Sequence, residues 1–226
     1  MTPGMPAATL EVVVPAGGQQ LPGRLVLPAR AEGLVLFAHG SGSSRFSGRN
    51  QSVATTLQQA GLATLLFDLL SAEEERRDQQ DHALRFDIPL LAERVVAAID
   101  WVHGEPELAA LPLGLFGAST GAAAALIAAA QRPELVRAVV SRGGRPDLAL
   151  GALDLVHCPT LLLVGELDMD VLELNNWAAA RLQGPHRLQV IPGADHLFEQ
   201  PGTLEQVAAE ASAWFGQALG ERRQRA

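Results

Sequence analysis

The run Gly117-Ala-Ser-Thr-Gly121 places one serine between two glycines, at the spacing G-x-S-x-G. This pattern is typical of a nucleophile carried on a sharp turn between a strand and a helix. Side chains two residues either side of the serine would collide with neighbouring strands unless they were hydrogens. Ser119 would then lie above a sheet at the amino end of a helix, where free N–H groups favour developing negative charge. A serine in this position could instead merely cap the helix.

An aspartate and a histidine later in the chain could complete a site around this serine. Asp168 lies three residues after Gly165, in a turn that follows the apolar run Thr160–Val164. His196 lies three residues after Gly193, in the turn after the next apolar run. Because the carboxyl ends of parallel strands share one edge of a sheet, where ligands bind, we expect the three side chains to meet there.

Three nearby residues compete for these roles. Asp170 could be the acid in place of Asp168, but it lies at the start of a predicted helix, where a carboxylate stabilises free N–H groups. Asp195 precedes His196 and would point the other way, so it is predicted to be a solvated surface residue. His39 ends an apolar run and is predicted to brace its loop by hydrogen bonds rather than to act as a base.

The composition excludes several other chemistries. A single cysteine, Cys158, rules out an internal disulfide and any zinc site with several thiolates, and we predict that it is a packed, inert thiol. All 17 basic residues are arginine and the chain has no tyrosine, which excludes Ser–Lys dyads, Schiff-base lysines, P-loop kinases and tyrosine-dependent reductases. Any base for Ser119 must therefore be histidine or a carboxylate. We expect no metal and no other cofactor.

The length indicates one domain over residues 1–226. The net charge of −8 argues against a nucleic-acid partner. Uncharged residues run from Leu108 to Gln131, but one proline and three glycines interrupt them, so we expect no membrane span. Residues 1–5 lack the basic and apolar blocks of a signal peptide, which favours a cytoplasmic location. The oligomeric state, monomer or homodimer, stays open.

The elements that must position these residues follow from hydrophobic periodicity. Strands are predicted at Leu10–Val14 and Leu21–Leu27, which form an opening hairpin within residues 1–30, and at Leu34–Ala38, Ala63–Phe67, Leu113–Phe116, Leu135–Val140, Thr160–Val164 and Arg187–Ile191. Helices are predicted at Asn50–Ala60, Ser71–Asp81 (short and exposed), Asp87–Val102, Thr120–Gln131, Leu148–Leu155, Leu172–Leu182 and from Pro201 onward, with a frayed tail at 220–226. Because strands and helices alternate from residue 34, we predict an α/β fold with a mostly parallel sheet of about eight strands, helices on both faces and no cap domain.

From Leu34 to Phe215 the chain resembles the α/β-hydrolase superfamily, and within it the small, capless dienelactone hydrolase-like family. The matching motifs are His39-Gly-Ser-Gly-Ser-Ser-Arg45, the turn at 117–121, Gly165-Glu-Leu-Asp168 and Gly193-Ala-Asp-His-Leu-Phe198, in the chain order Ser…Asp…His. One residue departs from the pattern, because the founding dienelactone hydrolases use a cysteine nucleophile and this chain has Ser119. In some relatives a similar domain lies beside a phosphoribosyltransferase, and we expect no such partner domain here.

The resemblance implies a serine hydrolase that cleaves a small carboxylic ester, lactone or thioester through an acyl-enzyme on Ser119. In that mechanism His196 takes the serine proton and Asp168 orients the imidazole. The N–H groups of Thr120 and Ser41 would hold the oxyanion. Two alternatives are a catalytically silent binding domain with the same fold and a cofactor-free perhydrolase that uses the same three residues.

Three arginines could bind an anionic group of the substrate. Arg142 and Arg145 follow an apolar run at the expected active-site end, and Arg45 follows another. Alternatively, these arginines could form ion pairs within the chain, with Asp147 or with the acidic run at 73–75.

Overall fold

The protein is described by a computed structural model over residues 8–220. Eight strands in these residues form one sheet in the order β1-β2-β4-β3-β5-β6-β7-β8. The strands are β1 Ala8–Ala16, β2 Gln19–Leu27, β3 Leu34–Ala38, β4 Ala63–Phe67, β5 Leu113–Ala118, β6 Val136–Arg142, β7 Thr160–Gly165 and β8 His186–Ile191. The helices are α1 Gly48–Gln59, α2 Ala72–Asp81, α3 Ile88–Gly104, α4 Thr120–Gln131, α5 Met169–Ala179 and α6 Thr203–Gly220, with 3₁₀ turns at Leu84–Phe86 and Pro146–Leu155.

The sheet confirms the predicted α/β-hydrolase architecture. Strands β1 and β2 form the opening antiparallel hairpin, closed by Gly17 and Gly18, both at positive φ as a type I′ turn requires. Strand β2 pairs antiparallel with β4, and every pair from β4 to β8 is parallel. No additional domain lies over the carboxyl ends of the strands within residues 8–220. The predicted tail beyond Gly220 lies outside the described residues.

The helices bury the sheet on both faces. In β3 the side chains of Leu34 and Leu36 face the cluster that includes α3 and α4, whereas Val35 and Phe37 face the cluster that includes α1 and α6. Successive strand residues point to opposite faces, so a strand covered on both sides must be apolar throughout. This explains why the central strands read as continuous apolar runs.

Helix α2 is more firmly attached than its charged sequence indicates. Ser71 and Glu74 form the predicted capping box, but Asp78 is fully buried and accepts bonds from the N–H and the guanidinium of Arg85. The buried Arg94 of α3 bonds both to Glu74 and to the carbonyl of Ala16. Helix α2 therefore helps to fix the opening hairpin against α3, and the prediction of a simply exposed helix is wrong at Asp78.

Two boundaries near the site differ from the predicted ones. Strand β6 continues beyond Val140 through Arg142, which pairs with Leu163 of β7, because ladder hydrogen bonds use the backbone and tolerate polar side chains. Helix α5 begins at Met169 rather than Leu172. Arg142 therefore lies within a strand instead of following one.

None of the helices between residues 8 and 220 has the length and hydrophobicity needed to span a lipid bilayer.

Candidate active site

Ser119 lies in the turn between β5 and α4, with φ 50° and ψ −121°, a conformation that non-glycine residues rarely adopt. A Cβ atom at Gly121 would lie 2.3 Å from the carbonyl oxygen of Ala38 in β3, and one at Gly117 would lie 2.4 Å from Cα of Ala122. Both glycines are therefore required, as predicted. The collision at Gly117 would be with helix α4, however, and not with a neighbouring strand.

The neighbouring strand holds this strained turn in place. The N–H of Ser119 donates to the carbonyl of Arg142 at 3.1 Å, and the N–H of Arg145 donates to the carbonyl of Ser119 at 3.1 Å. The Ser119 side chain makes no capping bond to α4. The hydroxyl is thus directed away from its own helix.

His196 contacts both other members of the predicted set. Its Nε2 lies 3.4 Å from Oγ of Ser119, and its Nδ1 lies 2.6 Å from Oδ2 of Asp168. In enzymes without bound substrate, catalytic hydrogen bonds are often this long, and they tighten only in the complex with substrate. The Asp168 side chain is 15% exposed, whereas the competing Asp170 is exposed in the first turn of α5. The structure therefore brings together residues from the ends of β5, β7 and β8.

Side chains in the two adjacent turns fix the loop that carries His196. Glu166, after β7, accepts the N–H of Gly193 at 2.7 Å. Asp195 accepts the N–H of Leu197 at 2.9 Å, and hydrogen bonding, chiefly with Gln200, lowers the pKa of its carboxyl. Asp195 lies at the surface, as predicted, and its carboxylate also closes a local turn. The sequence could have indicated this turn, because an aspartate side chain commonly accepts the backbone N–H of the residue two positions later.

His39 braces the loop after β3, as predicted. The ring is buried, its Nε2 accepts the N–H of Leu69 at 3.0 Å, and its Nδ1 lies 2.9 Å from the carbonyl of Gly40. Because Nε2 accepts, the proton is on Nδ1 and the ring is neutral. Burial lowers the pKa of this imidazole below 6.5. His39 therefore links the loop after β3 to the end of β4.

The loop after β3 also lies directly against the nucleophile. A Cβ atom at Gly40 would be 3.2 Å from Cβ of Ser119. Thr120 begins α4, so its N–H has no acceptor within its own helix. The N–H of Ser41, predicted to face the oxyanion, instead donates to Oγ1 of Thr120 at 2.9 Å. This contact depends on the loop conformation, which the motif spacing does not specify.

Two of the three arginines proposed to bind substrate are already paired. Arg45 bonds to Asp68 through its N–H and its guanidinium, and Arg145 bonds to Asp147 at 2.9 and 2.7 Å. Arg145 therefore has the partner that the alternative interpretation named, whereas Arg45 pairs with an aspartate that it did not name. Among residues 8–220, no group of three or more histidine, cysteine or acidic side chains is placed to hold a metal ion.

Arg142 is the exception among the three. It is 8% exposed, and its Nε and Nη1 atoms have no partner within the described residues. Its Nη2 lies 3.5 Å from Oδ1 of Asn50, near the limit for a hydrogen bond. Burial, with a further contribution from Arg49, lowers the pKa of this guanidinium to about 10. Arg142 therefore remains a cation with unused donors beneath the loop that carries His196.

Comparisons with known proteins show the family and the fold. Residues 31–215 match a family described as "Alpha/beta hydrolase domain". The solved dienelactone hydrolase from Anabaena variabilis is 56% identical, with a TM-score of 0.93 over 95% of this chain and 99% of its own. Est1E from Butyrivibrio proteoclasticus, 18% identical with a TM-score of 0.76 over 92% of this chain and 98% of its own, shares the fold.

Two longer relatives contain a region similar to this chain. Two curated proteins, from two strains of Mycobacterium tuberculosis, are each 57% identical over 205 residues. That match covers 91% of this chain but 45% of each relative, so the chain spans less than half of their length. Both relatives carry the provisional name of a phosphoribosyl transferase.

Proposed function

This chain belongs to the dienelactone hydrolase-like family of α/β-hydrolases, and from that membership we propose that it is a serine hydrolase of small carboxylic esters, lactones or thioesters. The observation that carries the proposal is the position of His196, which contacts both Ser119 and Asp168. Phosphoribosyl transfer is not proposed, because the matching residues belong to the hydrolase family and the name describes proteins more than twice as long.

The first step is attack of Ser119 Oγ on the carbonyl carbon of the ester. Nε2 of His196 accepts the serine proton as the new C–O bond forms. Nδ1–H of His196 donates to Asp168, which fixes the tautomer in which Nε2 is free to accept. Because a serine hydroxyl is a weak nucleophile at neutral pH, it needs this adjacent base more than a cysteine would.

The second step collapses the tetrahedral intermediate. The carbonyl π electrons, held on the oxyanion, return to re-form C=O, and the leaving alcohol or thiol receives the proton from His196. The oxyanion lies between the N–H of Thr120 and the loop that carries Ser41. Each donor placed there contributes about 3 kcal/mol to stabilising the transition state.

Hydrolysis of the acyl-enzyme repeats the same chemistry with water. His196 removes a proton from the water, the water oxygen attacks the acyl carbon, and Ser119 leaves with the proton returned by His196. The turns beside the site expose Leu167, Met169 and Leu197, which provide apolar surface for an acyl or leaving group. In this proposal Arg142, which has two unpartnered donors and no carboxylate partner among the described residues, offers donors for an anionic group on the substrate.

A fluorophosphonate probe tests the proposal. It should label the native protein on Ser119 and fail to label Ser119→Ala, and an ester panel with neutral and carboxylate-bearing members should then show turnover that favours the acidic members. Absence of labelling in a folded sample would contradict a serine hydrolase. Equal turnover of the neutral and acidic esters would contradict a role of Arg142 in binding the substrate.

The same samples separate the two alternatives. A catalytically silent binding domain would turn over no member of the panel while still folding. A perhydrolase would form peracid when peroxide is added, which product analysis with and without peroxide would detect. No feature of the described residues favours either alternative over hydrolysis.

A further inference from the structure

The side-chain hydroxyl of Thr120 has an unused proton beside the nucleophile. Thr120 is 4% exposed, and its Oγ1 accepts the N–H of Ser41 at 2.9 Å. A hydroxyl has one proton and two lone pairs, so accepting this bond leaves the proton free. That proton has no acceptor among residues 8–220. A buried donor without an acceptor is uncommon in proteins, and a catalytic role is one of the explanations for it.

The position of the hydroxyl identifies this ligand atom. Thr120 directly follows Ser119, and the loop at Gly40 lies against the Ser119 side chain. An oxyanion that forms on a carbonyl attacked by Ser119 must therefore lie between α4 and this loop. The N–H of Ser41 is already engaged by Thr120, and the Thr120 hydroxyl lies where α4 meets the loop, so it is a donor available to this oxyanion.

We propose that Thr120 supplies two oxyanion donors, its backbone N–H and its hydroxyl, and that the N–H of Ser41 orients the hydroxyl. This inference rests on the proposed serine hydrolase function. As Oγ of Ser119 bonds to the carbonyl carbon, the carbonyl π electrons move to the oxygen, and that oxygen accepts both hydrogen bonds. The serine proton goes to His196, and Thr120 keeps its own proton throughout.

The arrangement suits a preorganised donor. The hydroxyl becomes a stronger donor because it accepts an N–H bond at the same time. Hydrogen bonds to a charged acceptor are roughly twice as strong as neutral ones, so the bond strengthens as the oxyanion develops. The branched Cβ of threonine restricts χ1, and the bond to Ser41 restricts it further.

The test measures the second-order rate of phosphonylation of Ser119 by a fluorophosphonate, and kcat and KM for an ester. In phosphonylation the Ser119 oxygen bonds to phosphorus, fluoride leaves, the serine proton passes to His196, and the phosphoryl oxygen requires the same donors. Thr120→Val, which keeps the shape and loses the hydroxyl, should lower this rate and kcat about 10²-fold while KM changes less than about threefold. Thr120→Ser, which keeps a hydroxyl at this position, should retain most of the wild-type rate.

Thr160→Val is the matched control, because it removes a buried, hydrogen-bonded hydroxyl at the opposite end of the sheet. Its phosphonylation rate should equal that of the wild type. A rate for Thr120→Val that is unchanged or increased would overturn the proposal, since the freed Ser41 N–H would then suffice. If Thr120→Val does not fold, Thr120→Ala takes its place. Failure to label the wild type would instead overturn the proposed function itself.

Discussion

Asp168 is placed to cap α5, yet its carboxylate bonds to the imidazole of His196 instead. The aspartate two residues later is exposed in the first turn of the helix, where a carboxylate interacts favourably with the free N–H groups. The two residues are close in sequence and identical in chemistry, so they form a natural pair for separating function from stability.

Asp168→Asn should leave the fold intact and lower turnover about 10⁴-fold, the loss that the same change causes in serine proteases, because the amide favours the wrong imidazole tautomer. Asp170→Asn should keep its activity and lose about 0.3–1 kcal/mol of stability. Ester hydrolysis and thermal unfolding of both variants check this. If Asp170→Asn were the inactive variant, the assignment of the acid would be wrong.

At the scale of elements, the turn between β5 and α4 depends on close approach of backbone to backbone. The carbonyl oxygens of Ala38 and His39 both lie within 2.4 Å of where a Cβ at Gly121 would be. Backbone atoms of a buried central strand cannot move aside cheaply. By contrast, Gly216 on the exposed side of α6 has no atom within 4 Å of that position.

Gly121→Ala should therefore cost about 3 kcal/mol or more of unfolding free energy, since it forces overpacking between α4 and β3. Gly216→Ala should raise stability by about 0.4–1 kcal/mol, because alanine loses less conformational entropy when the helix forms. Urea denaturation followed by circular dichroism measures both changes. Similar stabilities for the two variants would show that the turn relaxes around the added methyl group.

Apolar runs and glycine positions predicted most of these elements. Strands β3 and β4 and helix α4 have the predicted boundaries, because each is set by a continuous apolar run or by the G-x-S-x-G turn. The end of β6 could not be predicted, because Ser141 and Arg142 are polar and pair through the backbone alone. Hydrophobic periodicity reflects only the polarity of the side chains, so it does not detect backbone pairing between strands that continues through polar residues.

The site was predictable to the extent that it depends on strand ends. Spacing after Gly165 and Gly193 placed Asp168 and His196 at the carboxyl ends of β7 and β8, where the structure has them. The pairing of Arg45 with Asp68 and the bond between Ser41 and Thr120 depend on loop conformation and long-range packing. Local sequence has no signal for such contacts.

At the scale of the whole molecule, the buried His39 makes stability depend on pH. The ring is neutral in the folded chain, and burial keeps its pKa below the value of 6.5 expected when it is unfolded. The unfolded chain therefore takes up the proton more readily. The contribution of this ring to stability is complete above about pH 6.5 and is lost as the pH falls through the lower folded pKa.

The free energy of unfolding should thus decrease between pH 7 and pH 5 in the wild type. The slope should be shallower in His39→Gln, whose side-chain oxygen can still accept the N–H of Leu69. His157→Gln, at an exposed position, should follow the wild-type slope. Denaturant titrations at several pH values measure these slopes, and parallel curves for all three proteins would exclude His39 as the source.

The order of the site residues along the chain has a consequence during protein synthesis. Ser119 is made 77 residues before His196, which at about 5–20 residues per second corresponds to roughly 4–15 s of translation. Throughout that time β7 has an unpaired edge, because β8 has not yet emerged from the ribosome. If His196 is the base of the proposed mechanism, Ser119 is also not activated on the ribosome until the last strand has joined the sheet.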